Sequence, residues 1–328
     1  MLPRIVSGTS SGSMFAALFC CRTNEELQEI LTPEFLATKL NPFEATYSEI
    51  ILRIFREGVM FDLNDWREKC RWLASGDLTF LEAFHKTGRI LNVTVSSKAN
   101  SPPMSLNHVS APNIVVWSAL LASAAIPGLV RSVSLCEKLP DGSLRDVSGG
   151  RLWRDGSFEH DIPMNALSET FRAKFFVVSQ MNPHISPFFY WRKGESGAPS
   201  PWRSRTGGWR GGFLLSTFEL LLKEHMKMLL RVLQALELLP KVLGQDWSYL
   251  FLQQFSGDVT LSTVPPLRDY LKLISDPGER ALSRYIHEGQ QILWQKYSMI
   301  RNRLCIDNKL HELIFKHLSE LEVDHASL

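Results

Sequence analysis

A serine between two glycines lies almost at the start of the chain, in Gly8-Thr9-Ser10-Ser11-Gly12-Ser13. The Gly-x-Ser-x-Gly spacing around Ser10 is that of a nucleophile elbow, in which a serine hydroxyl on a tight strand-to-helix turn attacks a carbonyl carbon. The context fits: β-branched Ile5 and Val6 precede the turn, and Met14-Phe15-Ala16-Ala17-Leu18-Phe19 follows as a helix-forming run. Gly8 and Gly12 let the backbone turn sharply. A serine at a helix N-terminus also sits where the helix dipole favours developing negative charge, and the Ser11 N–H there could donate one bond to an oxyanion. Three fixed positions match by chance in roughly one chain in ten of this length. The flanking strand and helix therefore carry the reading, against the alternative of a Gly/Ser-rich helix start without chemistry.

A serine nucleophile needs a base within hydrogen-bond reach. The second candidate segment is Trp153-Arg154-Asp155-Gly156-Ser157-Phe158. Asp-Gly is ordinarily a turn signal, and Asp141-Gly142 reads as no more than that. Asp155 differs because an apolar stretch follows and leads to a clear strand, which puts its carboxylate at the end of a sheet, where α/β active sites gather. A carboxylate serves as base where partial desolvation raises its pKa. The chain also has nine histidines, with His160 and His184 near the second motif. The order Ser…Asp…His fits an ordinary triad as well. Spacing alone does not separate a dyad from a triad.

These residues need a scaffold, and the pattern supplies one. Asp62-Leu63-Asn64-Asp65-Trp66 opens a helix that ends before Gly76, and Thr79 opens another that closes near Gly88. Ile90-Leu91-Asn92-Val93-Thr94-Val95 reads as a buried strand. Asn113 is expected to cap a helix running through Trp117, Leu120 and Leu121 to Pro127-Gly128. Residues 137–150 read as a surface hairpin or loop, and Lys174-Phe175-Phe176-Val177-Val178-Ser179-Gln180 as a second buried strand. Helices alternating with apolar strands imply an α/β sheet covered on both faces. Composition changes near Pro183, and 184–212 reads as a Gly/Arg/Trp-rich loop or linker. From Phe213 to Leu243, and again over about 277–318, the pattern is helical. Residues 1–183 are therefore expected to form the catalytic domain and 213–328 a helical C-terminal region.

Composition narrows the functional classes. The chain is 45% hydrophobic and 21% charged, enough for a sizeable core. A net charge of +2 gives no support for nucleic-acid binding across the surface. The cysteines Cys20, Cys21, Cys70, Cys136 and Cys305 are scattered, without a Cys-x-x-Cys pair, and read as buried free thiols of a reducing compartment. The Gly, Ser and Thr residues from Ser7 to Ser13 break any signal-peptide pattern. The uncharged run Ile114 to Val130 is interrupted by Ser118, Ser123, Pro127 and Gly128, so it reads as a buried helix rather than a membrane span.

The combination of Gly8-Thr9-Ser10-Ser11-Gly12-Ser13 with Asp155-Gly156-Ser157 resembles the Ser–Asp dyad of patatin-like acyl hydrolases. The likeness continues in segments typical of the fungal and plant triacylglycerol lipase branch. These include Leu2-Pro3-Arg4-Ile5, Thr79 to Phe84, Thr87 to Asn92, Ala111-Pro112-Asn113 with Trp117-Ser118-Ala119, Arg154 to Met164, Val178 to His184, and Leu267-Arg268-Asp269-Tyr270. It implies a three-layer fold of sheet flanked by helices. Ser10 would be the nucleophile and Asp155 the general base, with Gly8, Gly12 and Gly156 shaping the motifs. It further implies triacylglycerol as substrate, or phospholipid and lysophospholipid hydrolysis or acyl transfer, without metal or organic cofactor. The expected setting is intracellular, at a lipid droplet or peripheral membrane surface, otherwise cytoplasmic.

One departure stands beside the match. Patatin-like enzymes carry a glycine-rich oxyanion loop upstream of the elbow, whereas only nine residues precede Ser10 here. Gly149-Gly150 and Gly207-Gly208 are in the wrong places to replace it, which leaves Ser11 N–H as the oxyanion donor. Loss of one such donor costs about 10²–10³ in rate. The chain accordingly reads as an N-terminally incomplete piece of a longer lipase, with a catalytically impaired droplet or scaffold protein as the alternative. Trp191, Trp202 and Trp209 interleave with Arg192, Lys193, Arg203, Arg205 and Arg210, a composition suited to an anionic lipid surface or to a solvated loop.

Overall fold

In the computed structural model, the described residues are 3–39, 52–53, 55–56, 58–97, 103–126, 130–147, 152–156, 162–180, 182, 212–236, 238, 256–262 and 276–326. Local chemistry sets most helix boundaries. Helix α1 (Ser11–Cys20) follows strand β1 (Ile5–Gly8) directly. Helix α2 (Asn24–Ile30) opens on a capping box in which Thr23 and Glu26 satisfy each other's backbone N–H groups, and α3 (Pro33–Lys39) follows. Asp62 caps α4 (Leu63–Leu73) by accepting from Asn64 and Asp65 N–H. Thr79 and Glu82 form a second capping box on α5 (Phe80–Thr87), and Gly88 ends that helix in the left-handed conformation, φ 68°. The starts at Asp62 and Thr79 and the stop at Gly88 match those expected from the sequence.

Helix α6 (Val116–Ser123) begins later than expected. Asn113 is not its cap, because it lies in a turn and Ile114 and Val115 are bridged to neighbouring segments: the Asn113 carbonyl accepts from Lys138 N–H, and Val115 N–H donates to the Cys136 carbonyl. The helix also ends at Ser123, before the Pro127-Gly128 stop. Every residue of α6 is buried, in keeping with the uncharged run being a core helix. Among the described residues, no helix is long and apolar enough to cross a membrane.

The central sheet is organised around β2 (Ile90–Ser97), which is buried over almost its whole length. β1 pairs parallel with it, Ile5 to Gly8 lying opposite Ile90 to Val93. β3 (Met104–Leu106) runs antiparallel along the other edge, against Val93, Thr94 and Val95. β6 (Trp153–Asp155) is also antiparallel to β2, with Asp155 opposite Val95. Because β3 holds one edge of β2 at these residues, β1 and β6 share the other. One core gathers Leu91, Val93 and Val95 of β2, Ala16, Ala17 and Leu18 of α1, Phe80 and Ala83 of α5, and Val116, Leu120 and Leu121 of α6. On the sheet's other face a polar ladder replaces packing: Asn107 Nδ2 donates to Asn92 Oδ1 at 3.2 Å, and Asn92 Nδ2 to Ser7 Oγ at 3.0 Å.

The hairpin expected near 137–150 is β4 (Cys136–Lys138) with β5 (Leu144–Asp146), and Asp141-Gly142 is its turn. Helix α7 (Met164–Phe171) follows β6. The second strand is shorter and more exposed than its apolar run suggested. It comprises β7 (Val177–Gln180), in which only Val178 and Gln180 are buried. It pairs parallel with β8 (Val259–Ser262), so the region beyond residue 213 contributes a strand as well as helices. Those helices are α8 (Gly212–Ala235) and α9 (Glu279–Ala326). α9 packs on α3 and β8 near its buried Ile300, and Lys296 Nζ donates to the Thr260 carbonyl. The architecture is mixed α/β with a helical C-terminal region.

Candidate active site

The elbow depends on a close approach at Gly8. A Cβ on Gly8 would stand 2.2 Å from the Gly12 carbonyl oxygen, so the first turn of α1 rests on the end of β1 and only glycine fits. Gly12 itself is different, since nothing lies within 4 Å of a Cβ built there. The sharp turn is not made by either glycine. It is made by Ser10, at φ 53° and ψ −127°, a conformation that costs a residue with a side chain about 1–3 kcal/mol.

Hydrogen bonds hold the Ser10 backbone on both sides. Its N–H donates to Ser123 Oγ at 2.9 Å. Its carbonyl accepts from Ser13 Oγ at 2.6 Å and from Ser13 N–H at 3.0 Å. Ser13 and Ser123 are both fully buried. At the start of α1, Gly12 N–H is taken by the Thr9 carbonyl, and among the described residues nothing takes the Ser11 N–H. The first turn of α1 holds no acidic side chain, so nothing within the helix offsets the positive end of its dipole.

Asp155 approaches from the opposite direction along the same edge of β2. Gly8 ends β1 opposite Val93, and Asp155 ends β6 opposite Val95. The two strand ends are separated along β2 by about 7 Å, two residues' rise. Asp155 is fully buried, and its N–H donates to the Ala125 carbonyl at 3.2 Å, two residues beyond the serine that takes the Ser10 N–H. Gly156 continues past the strand end, where a Cβ would lie 2.8 Å from the Thr94 carbonyl oxygen. The sheet and the end of α6 thus set the end of β1, which leads into Ser10, two residues along β2 from the end of β6, which carries Asp155.

His160, His184, Gly149-Gly150, Gly207-Gly208 and the Trp/Arg-rich stretch at 191–210 lie outside the described residues. Among the described residues, no three His, Cys, Asp or Glu side chains gather as a metal cluster. Sequence reasoning missed Ser13, Ser123 and Thr94. A signal for Ser123 was present: a hydroxyl inside an otherwise apolar helix must find a partner when buried. Ser118 shows the same rule on α6, donating to the Val115 carbonyl and accepting from Cys136 N–H.

With that geometry in place, comparison with known proteins is informative. The family model described as patatin-like phospholipase matches residues 1–168. A patatin-like phospholipase domain-containing protein of Coccidioides immitis is 45% identical over 317 residues, covering 96% of this chain and 43% of its own length. One from Neurospora crassa is 46% identical over 307 residues, covering 93% of this chain and 35% of the relative. One from Aspergillus terreus is 46% identical over 310 residues, 94% of this chain and 43% of the relative. The chain therefore spans less than half the length of these relatives. The matched half runs from the elbow through Asp155 into α7, and on this evidence the chain belongs to the patatin-like phospholipase family.

Proposed function

We propose that the chain is a lipid acyl hydrolase that cleaves carboxylic esters of neutral glycerolipid with Ser10 as nucleophile and Asp155 as general base. The observation that supports this reading most is the meeting of β1 and β6 end to end along one edge of β2. In the proposed reaction Ser10 Oγ attacks the ester carbonyl carbon while its proton passes to the Asp155 carboxylate. The tetrahedral oxyanion forms at the start of α1, where the Ser11 N–H and the helix dipole stabilise it. Collapse breaks the ester C–O bond, and the proton on Asp155 goes to the departing alcohol. Asp155 then takes a proton from water, the hydroxide attacks the Ser10 acyl ester, and the fatty acid leaves as Ser10 recovers its proton. No histidine is used.

Access to such a substrate requires contact with lipid, and α8 is suited to it. Leu214, Phe218, Leu221, Met228 and Val232 recur at helical spacing and are all exposed, Leu214 by 81% and Phe218 by 63%. Lys223, Lys227 and Arg231 occupy the opposite arc with Glu219 and Glu224. An apolar face backed by a charged face, in which Lys223 pairs with Glu219 and Lys227 with Glu224, favours lying in a lipid interface. The test is release of fatty acid by the chain from trioleoylglycerol emulsion, phosphatidylcholine vesicles and lysophosphatidylcholine. Turnover of the emulsion above the other two, abolished in Ser10→Ala, supports the reading. Turnover confined to the phospholipids contradicts the substrate, and turnover that survives Ser10→Ala contradicts the nucleophile.

A further inference from the structure

Between the two strand ends the hydrogen-bonding ladder of β2 has a gap. β1 stops opposite Val93 and β6 ends opposite Val95, so along this edge Thr94 has no strand partner. A buried carbonyl there must be satisfied by another donor. The Ser123 hydroxyl supplies it, donating to the Thr94 carbonyl at 2.8 Å. The same oxygen accepts the Ser10 N–H at 2.9 Å. A serine hydroxyl has one proton to give and lone pairs to accept with, and here each role goes to a different side of the site.

We infer that Ser123 is a positioning residue for the nucleophile, an inference that rests on the reading of Ser10 given above. Its hydroxyl ties the strained Ser10 peptide to the central strand at the residue lying between the levels of Gly8 and Asp155. Gly156 packs on that same Thr94 carbonyl, so one oxygen sets the height of both halves of the site. Ser13 fixes the other end of the Ser10 residue from within α1. It cannot set the elbow against the sheet, because it moves with the helix. Ser123, reaching from α6, joins the Ser10 peptide to β2 directly. Without it the Ser10 N–H loses its acceptor, and φ at Ser10 is free to relax from 53°. A displacement of about 1 Å at a reacting group costs on the order of 10²-fold in rate.

Ser118 provides an internal control. It lies on the same helix, is equally buried, and its hydroxyl likewise bridges two backbone groups, but these belong to the Val115–Cys136 region away from the elbow. The experiment compares wild type, Ser123→Ala, Ser123→Thr and Ser118→Ala for the rate of covalent labelling of Ser10 by a fluorophosphonate. It also compares kcat and KM on p-nitrophenyl butyrate and thermal midpoints. Ser123→Ala is expected to lower the labelling rate and kcat by about 10–100-fold with KM nearly unchanged. Ser123→Thr, which keeps the hydroxyl, is expected to recover most of both. Ser118→Ala should lower the thermal midpoint by a similar amount while labelling at the wild-type rate. If Ser123→Ala labels as fast as wild type, or if Ser118→Ala slows labelling equally, the inference is overturned. If Ser123→Thr does not fold, the alanine pair still decides. If wild-type Ser10 is not labelled at all, the nucleophile reading falls first and takes this inference with it.

Discussion

Gly8 and Asp155 occupy one edge of β2, ending two strands that run toward each other and leave only the level of Thr94 between them. A strand that ends opposite another strand's end releases both chains into the same space. The Gly8 end leads into the elbow, and the Asp155 end leads into Gly156, where a side chain would strike the Thr94 carbonyl. The site is therefore a property of strand register. Slipping either strand by one residue would turn its side chains to the opposite face.

The two elbow glycines should respond differently to substitution. Gly8→Ala places a methyl group against the Gly12 carbonyl, backbone against backbone with no side chain able to yield. We expect a loss of about 3 kcal/mol or more in urea unfolding, or failure to fold. Gly12→Ala meets open space in the first turn of α1 and should leave the unfolding free energy unchanged or raise it by up to about 1 kcal/mol.

The interfacial role of α8 has its own test. Replacing Phe218 and Leu221 together by glutamate removes two exposed apolar side chains, each worth about 1.5–3 kcal/mol when transferred from water to lipid. Flotation with trioleoylglycerol emulsion should fall by tenfold or more while hydrolysis of a soluble ester is unchanged. Equal flotation of variant and wild type would exclude α8 as the lipid-contacting element.

His108 supplies a pH dependence. Its ring stacks on Phe84 at 4.3 Å and on Phe171 at 5.9 Å between centroids. Burial, with a smaller contribution from His85, holds its pKa below the ordinary histidine value. The folded state thus favours neutral His108, and stability should decline as pH falls from about 6.5 toward the lower folded pKa. Glu26 and Glu82 act in a separate, more acidic window. The Thr23 N–H and Lys86 hold Glu26 below the usual carboxylate range. Burial opposes the same shift at Glu82, but Lys138 and the Thr79 N–H outweigh it. Their contribution is present above the unfolded pKa and is lost as pH falls through the folded one. Thermal midpoints between pH 5 and 7 should flatten in His108→Phe and keep their acid limb below about 4.5.

The sequence read as five buried thiols, and four of them fit in graded fashion. Cys20, Cys21 and Cys70 are fully buried, and Cys136 is half-buried. Burial raises the Cys20 pKa and pushes Cys21 and Cys70 up to about 12; it raises Cys136 as well. Cys305 departs from that expectation because it lies exposed on α9. A disulfide reagent at neutral pH should therefore modify Cys305 rapidly and the other four only on unfolding. Fast release of two or more equivalents from native protein would contradict this packing.

How much of this was legible beforehand follows from the range of each interaction. The cap at Asp62, the start at Thr79 and the stop at Gly88 are local, so their residue types and spacing announce them. The elbow was legible as a motif, but its mechanics were not: the motif suggested that glycines make the turn, whereas Ser10 makes it and Gly8 gives room. The start of α6 was misread because pairing of residues 113–115 with β4 overrides the Asn113 cap, and that pairing is a tertiary event. The start of β7 and its burial were misread for a similar reason, since a hydrophobic run does not reveal which residues meet a partner. That the buried Ser123 hydroxyl needs a partner is a local signal, but that the partner is the Ser10 N–H, 113 residues away, is beyond the reach of any local pattern.

The most direct test is the rate at which a fluorophosphonate labels Ser10 in Asp155→Asn compared with wild type, read by peptide mass spectrometry on protein shown to be folded by its thermal midpoint. An asparagine keeps the size of Asp155 but cannot accept the serine proton. The account predicts labelling of wild type at Ser10 and a rate about 10²–10⁴-fold lower in Asp155→Asn, the usual contribution of a general base. Equal labelling of the two proteins, or labelling at a residue other than Ser10, would contradict it.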